Sequence, residues 1–251
     1  MPLIPVDVLR EILDHVDKND LATLCRVNKI FCSCSRDVLY REIEERDAHV
    51  IQTLAKSTDL ARRVRSFGTK HAPPELATAL QNMSSLRSLD FMCINDISIL
   101  DGRTFKLDSF TCDCPHTELL QRFLYSQPSI THITLYKKCQ PFPPFDERCL
   151  PNLTRVMAKP SWLSRLIPGR PVRSVTVLHS RHADNNDSSF FTLSTAPIQK
   201  LATPSDFLFP KHGSLLASLF PSLVHLTLVF YSRTDFVERQ TVRRSLFCLL
   251  I

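Results

Sequence analysis

Eight copies of one short pattern run along this chain, and they constrain its fold more than any other feature. The pattern is an apolar residue, two mostly polar residues, an apolar residue, any residue, and an apolar or small residue. It starts at Val64, Leu86, Leu107, Ile130, Leu153, Val172, Ile198 and Leu223. Successive starts lie 22, 21, 23, 23, 19, 26 and 25 residues apart. A self-similar period in this range marks a repeat architecture whose units pack on their neighbours. The alternation inside each copy predicts one short strand, and together the copies predict a continuous parallel sheet. The stretches at 74–83, 116–126, 161–167 and 213–220 read as helices, and 185–195 as a loop with a weak helix or none. Pro128, Pro151, Pro171, Pro197 and Pro221 each precede a copy by one or two residues. Proline there ends a preceding helix and lacks a donor that an incoming strand does not need.

Period and pattern resemble leucine-rich repeats. The fold class expected is a mixed helix-and-sheet (α+β or α/β) solenoid. Regular members carry Asn or Cys eight residues after the first apolar position. Here Ile94, Pro115, Lys138, Ser161 and Tyr231 stand there. Without that polar ladder the resemblance implies an irregular arc.

The first 43 residues follow another rule. Val8, Leu9, Ile12, Leu13 and Val16 recur at helical spacing and predict one apolar helix face. Pro5 suits a first turn, and Asp7 sits near the positive end of the helix dipole. Asp17 can cap a second helix with the stripe Leu21, Leu24 and Val27. Ile30, Phe31, Val38, Leu39 and Ile43 continue a third segment, with a break expected near Ser35. So small a module buries little surface and usually leans on a partner. Residues 44–57 read as a further helix, polar at first and then amphipathic.

The run Ile4-Pro5-x-Asp7-x-Leu9, with Ile12-Leu13, Val16-Asp17, Asp20-Leu21, Leu24-Cys25, Val27, Phe31 and Leu39-Tyr40-Arg41, resembles an F-box. Ile4 stands for the usual Leu, Asp7 for Glu and Tyr40 for the commoner Trp. Cys25 falls two residues before Val27, not after it. The resemblance implies docking onto a Skp-type adaptor and, through it, a cullin within an SCF-type cullin–RING ubiquitin ligase. The adaptor surface implied is Ile4, Pro5, Val8, Leu9, Ile12, Leu24, Val27 and Phe31. The domains expected are an F-box at 1–43, a linker helix at 44–57 and a degenerate repeat domain at 58–251.

Strand alternation turns residues two and four places after each first apolar position outward. That exposes Ser88, Asp90, Thr111, His132, Thr134, Arg155, Met157, Lys200, His225 and Thr227, with Tyr136 and Lys159 at the rim. Small polar residues dominate the early copies; His, Arg and Lys dominate the later ones. His132, Tyr136, Arg155, Lys159, Lys200 and His225 form the expected surface for a protein substrate, biased to acidic or phosphorylated segments.

Composition narrows the remaining classes. With 4 glycines and no G-x-x-x-x-G-K or G-x-G-x-x-G run, nothing points to a phosphate loop. The net charge of +6 is dispersed, its densest clusters being Arg62–Arg65 and Arg239–Arg244, so no nucleic-acid partner is expected. No signal peptide and no apolar run near 20 residues is seen, so no membrane is expected. The 9 cysteines then read as reduced thiols of the cytoplasm or nucleus. Cys112-Asp-Cys114-Pro-His116 is too tight for a zinc site and has no second ligand pair. No cofactor or metal is expected. Cys112 falls on a core-facing position. His15, His49 and His71 read as surface residues. The apolar end at Leu246–Ile251 lacks a polar cap, which points to truncation or a partner and to aggregation of the isolated chain.

A non-catalytic substrate receptor is therefore the expected role. A non-ligase repeat scaffold is the alternative, and a hydrolase using His or Cys is the reading from another class.

Overall fold

The computed structural model describes residues 4–44, 48–92, 96–115, 117–137, 145–179, 188–204 and 219–229. Positions 94, 116, 138 and 231, the segments 213–218 and 236–251 and residues 185–187 lie outside them, whereas the rest of the 185–195 segment is described and holds a 3-10 turn. The chain divides into two compact units, residues 1–107 and 108–251.

The first unit opens with three helices: α1 (Val6–Leu13), α2 (Lys18–Leu24) and α3 (Lys29–Leu39). Asp17 caps α2 by accepting from the Asn19 and Asp20 N–H groups at 2.9 and 3.1 Å. Asn28 does the same for α3, accepting from Ile30 and Phe31, both at 2.9 Å. The break expected near Ser35 does not occur. Ser35 lies inside a continuous α3 and is fully buried. Packing overrides the weak helix propensity of the Cys-Ser-Cys-Ser run. The core of the module is Leu9, Leu13, Leu21 and Cys34, with Val16, Leu24, Phe31, Val38 and Leu39 half-buried around it.

The chain then adopts β1 (Glu42–Glu44), α4 (Ala48–Lys56), α5 (Thr58–Ala61), β2 (Ser66–Thr69), α6 (Leu76–Asn82), β3 (Ser88–Phe91) and a 3-10 turn at Ser98–Leu100. β1, β2 and β3 pair in parallel, in that order. The strand at Glu42–Glu44 replaces the helical reading of Ile43 and Glu44.

The second unit holds six parallel strands in chain order: β4 (Ser109–Cys112), β5 (His132–Leu135), β6 (Arg155–Ala158), β7 (Ser174–Val177), β8 (Lys200–Pro204) and β9 (His225–Val229). Between them lie α7 (Glu118–Tyr125), α8 (Pro160–Leu166) and a 3-10 turn at Ser189–Leu193. One strand falls on each of the eight sequence copies. The pairing register equals the repeat alignment: Ser66 faces Ser88, and His132, Arg155, Ser174, Lys200 and His225 form one row. A one-residue slip would turn every apolar position outward, so the alternating pattern fixes the register. In the copies starting at Ile130, Leu153 and Val172, all three apolar positions are buried, down to Leu135, Ala158 and Val177. Each such large side chain contributes about 1.5–3 kcal/mol on burial.

A polar ladder of another kind joins the copies. The carbonyl just before each strand accepts two N–H groups from the next copy: Thr131 from Thr154 and Arg155, Thr154 from Arg173 and Ser174, Arg173 from Gln199 and Lys200. Side chains reach back as well. Thr131 Oγ1 donates to the Asp108 carbonyl, Thr154 Oγ1 to that of Thr131, and Asn152 Nδ2 to that of Pro128, each at 3.1 Å. These bonds meet the backbone demand that a regular Asn ladder would otherwise satisfy.

Candidate functional site

Two surfaces stand out, one in each unit. In the first, α1 splits its apolar residues between two directions. Leu9 and Leu13 face inward, 5% and 1% exposed, while Val8 and Ile12 remain 45% and 50% exposed. Ile4 extends the outward row at a spacing of four residues. Val27 and Ile30 flank the Asn28 cap and are also exposed, as is Val6. Six of the ten large apolar side chains left exposed among the described residues thus fall within residues 4–30. Scattered exposed apolar residues are ordinary, but this concentration is not.

Of the residues expected to meet an adaptor, Ile4, Pro5, Val8, Ile12 and Val27 lie on the surface, and Leu24 and Phe31 are half-buried. Leu9 is a core residue, so its placement on the adaptor surface is corrected. An apolar stripe read from spacing is wider than the part a three-helix core can cover, and α2 and α3 cover the Leu9–Leu13 side. Val6 and Ile30 were not found by sequence reasoning. Val6 sits beside Pro5 at the helix start, and Ile30 reads as core until Asn28 is seen to cap α3.

Ion pairs hold the module's outer edges: Arg10 with Asp37 at 3.2 Å, Arg41 with Asp14 at 2.8 Å, and Arg63 with Asp37 and Asp59. Burial works against the charge on Arg63, yet the two carboxylates raise its pKa on balance. Such partly exposed pairs orient side chains more than they stabilise.

The second surface is the outward face of the six-strand unit. Arg155, Lys200, His225 and Thr227 are exposed there, and His132, Thr134, Met157, Thr111, Tyr136 and Lys159 are half-buried. In the first unit Asp90 is exposed and Ser88 half-buried. Sequence alternation therefore assigned the facing of these positions. Burial and the nearby Arg155 charge push the His132 imidazole below its ordinary value, against the opposing Asp108 carboxylate. Its Nδ1 lies 2.8 Å from Thr131 Oγ1. A groove of about 650 Å³ opens at the starts of β6, β7 and β8, with Arg155, Arg173, Ser174, Gln199 and Lys200 in its lining. Arg173 was missed because it occupies the second position of its copy, just before the strand, to which the alternation rule assigns no facing.

Cys112 and Cys114 lie inward and buried, the Cys114 N–H donating to Cys112 Sγ at 3.0 Å. The hydrogen bond with Cys114 and burial together raise the Cys112 thiol. Among the described residues no group of three His, Cys, Asp or Glu side chains could hold a metal ion.

Comparison with curated proteins returns no match for the chain. Residues 1–42 match the F-box domain family. The three-helix module with the exposed apolar row is thus an F-box domain, standing at the head of two successive runs of parallel strands.

Proposed function

We propose that this chain is the substrate-recognition subunit of an SCF-type cullin–RING ubiquitin ligase. The F-box binds a Skp-type adaptor, and the adaptor links the chain to a cullin. The strand copies act as degenerate leucine-rich repeats that present a protein substrate, through the face carrying His132, Tyr136, Arg155, Lys159, Lys200 and His225. In this role the chain does no chemistry of its own; it sets which protein meets the transfer machinery, in the cytoplasm or nucleus.

The observation that carries the reading is the exposed row Ile4, Val8 and Ile12, with Val27 and Ile30, inside the segment that matches the F-box family. Covering a half-exposed Val or Ile is worth about 1 kcal/mol. Several such residues together supply the core of a stable interface. The constant strand register at the repeat interval supports the leucine-rich-repeat reading.

Co-expression of the full chain with a Skp-type adaptor tests this. A stoichiometric complex that is lost on Val8→Asp with Ile12→Asp is the expected result. An adaptor that fails to co-purify with the intact chain at micromolar concentration would overturn the ligase reading and leave the scaffold alternative.

A further inference from the structure

The groove at the starts of β6, β7 and β8 has a charge pattern that the receptor role does not by itself require. Arg155, Arg173 and Lys200 line it from three successive copies. All three are exposed. Among the described residues no carboxylate lines the groove, and none pairs with any of the three. Elsewhere the described arginines Arg10, Arg41, Arg63 and Arg122 do find carboxylates. Three like charges held together without a counter-ion repel one another, and an anion relieves that repulsion.

The count of charges selects the anion. A carboxylate side chain brings one negative charge and two acceptor oxygens. A phosphoryl group brings about −1.5 to −2 and three strong acceptors. Two guanidinium forks and one ammonium match the second, not the first. The Ser174 hydroxyl and the Gln199 amide add uncharged donors in the same groove. The register row His132, Arg155, Ser174, Lys200 and His225 continues the surface on either side. At about 4.8 Å per strand the row spans about 19 Å, the length of about six extended residues.

Resting on the receptor reading above, we propose that this groove is a phosphoryl-binding site, in which Arg155, Arg173 and Lys200 clamp one phosphorylated side chain of a protein segment laid across β5–β9. Phosphorylation of the segment then decides whether it is captured.

The test uses the full chain and three fluorescent peptide pools with degenerate flanks and a central phosphoserine, glutamate or serine. The phosphoserine pool binds about tenfold or more tightly than the glutamate pool, the margin of one charge-assisted contact. Arg155→Gln, Arg173→Gln and Lys200→Gln each weaken it severalfold, while Arg148→Gln, an exposed cation outside the groove, does not. Unchanged Trp162 fluorescence confirms that the variants fold. Equal binding of the phosphoserine and glutamate pools, or full binding by the triple variant, would overturn the site. Inorganic phosphate displacing the peptide at equal concentration would overturn the peptide as its ligand. Adaptor capture is measured in parallel. Phosphopeptide binding without adaptor capture removes the ligase reading and keeps the groove; adaptor capture without phosphopeptide selectivity removes the groove alone.

Discussion

Arg170 donates its Nε–H to the Cys149 carbonyl oxygen at 2.7 Å, from a side chain that is fully buried. The rest of the guanidinium bonds the carbonyls of Pro168 at 2.7 Å, Asp146 at 2.8 Å and Arg165 at 3.2 Å. One cation thus ties the loop at 145–150 to the end of α8. Gly169 makes this possible: its φ of 73° turns the chain inward, and a Cβ there would lie 2.8 Å from the Glu147 side chain. Burial lowers the Arg170 pKa, while Cys149, Tyr125, Glu147 and Asp146 oppose that.

Arg170→Met keeps the volume and removes every donor, leaving buried carbonyls unpaired. We expect a loss of about 3 kcal/mol. The single tryptophan, Trp162, is fully buried and donates to the Lys137 carbonyl at 2.8 Å, so its fluorescence reports unfolding of the second unit. Urea titration followed at Trp162 should show an earlier midpoint for Arg170→Met. An unchanged midpoint would remove the structural role assigned to this residue.

Leu9 and Ile12 lie on one helix but do different jobs, and substitution separates them. Leu9→Ala opens a cavity in the F-box core and should cost about 2–4 kcal/mol of module stability. Ile12→Ala, at a half-exposed position, should change stability by less than about 0.5 kcal/mol. Adaptor affinity should respond in the opposite way: weakened directly by Ile12→Ala, and by Leu9→Ala only as far as the module unfolds. Thermal unfolding and an adaptor pull-down on both variants decide this.

Much of this was legible in the sequence, and the reasons differ by element. The eight strands were readable because each alternates over the same short pattern, and the inward facing of the same three positions, buried in the middle copies and half-buried at Leu223, Leu226 and Leu228, sets the register. Helices α7 and α8 were bracketed by their apolar stripes and by Pro128 and Pro171 after them, and α6 by its stripe and by Pro74 before it. Strand β1 was not, because Glu42-Ile43-Glu44 carries one apolar residue between charges; its strand character comes from pairing with Ser66–Gly68. Periodicity located the α1 stripe but could not say which half α2 and α3 would cover. Arg170 carries no sequence signal, since nothing local between Gly169 and Pro171 shows that four carbonyls converge on it.

The depressed pKa of His132 has a definite sign in the pH dependence. Burial and Arg155 disfavour the imidazolium in the folded chain, so the unfolded chain takes up the proton first as pH falls. The contribution to stability is complete above the ordinary value of 6.5 and is lost as pH drops through the lower folded value. Wild-type chain should therefore lose more stability between pH 7.5 and 5 than His132→Asn. In proton NMR, the His132 ring resonance should titrate below 6.5 and move upward in Arg155→Gln. A wild-type titration above 6.5 would contradict the packing described here.

Thiol chemistry gives an independent view of the Arg170 anchor. Burial pushes the Cys149 thiol up to about 12, even though Arg170 beside it favours the thiolate. Cys149 is also fully enclosed, whereas Cys25 and Cys32 are half-buried on the F-box. At pH 8 the thiolate fraction of a group at about 12 is about one in ten thousand, too little for alkylation on the scale of minutes. Peptide mapping after iodoacetamide treatment at pH 8 should find Cys32 modified and Cys149 untouched in the folded wild-type chain. In Arg170→Met the loop at 145–150 loses its anchor, and Cys149 should become reactive while Cys112, the buried last residue of β4, stays protected. Labelling of Cys149 in the wild type under native conditions would mean that the loop opens freely and that Arg170 does not hold it.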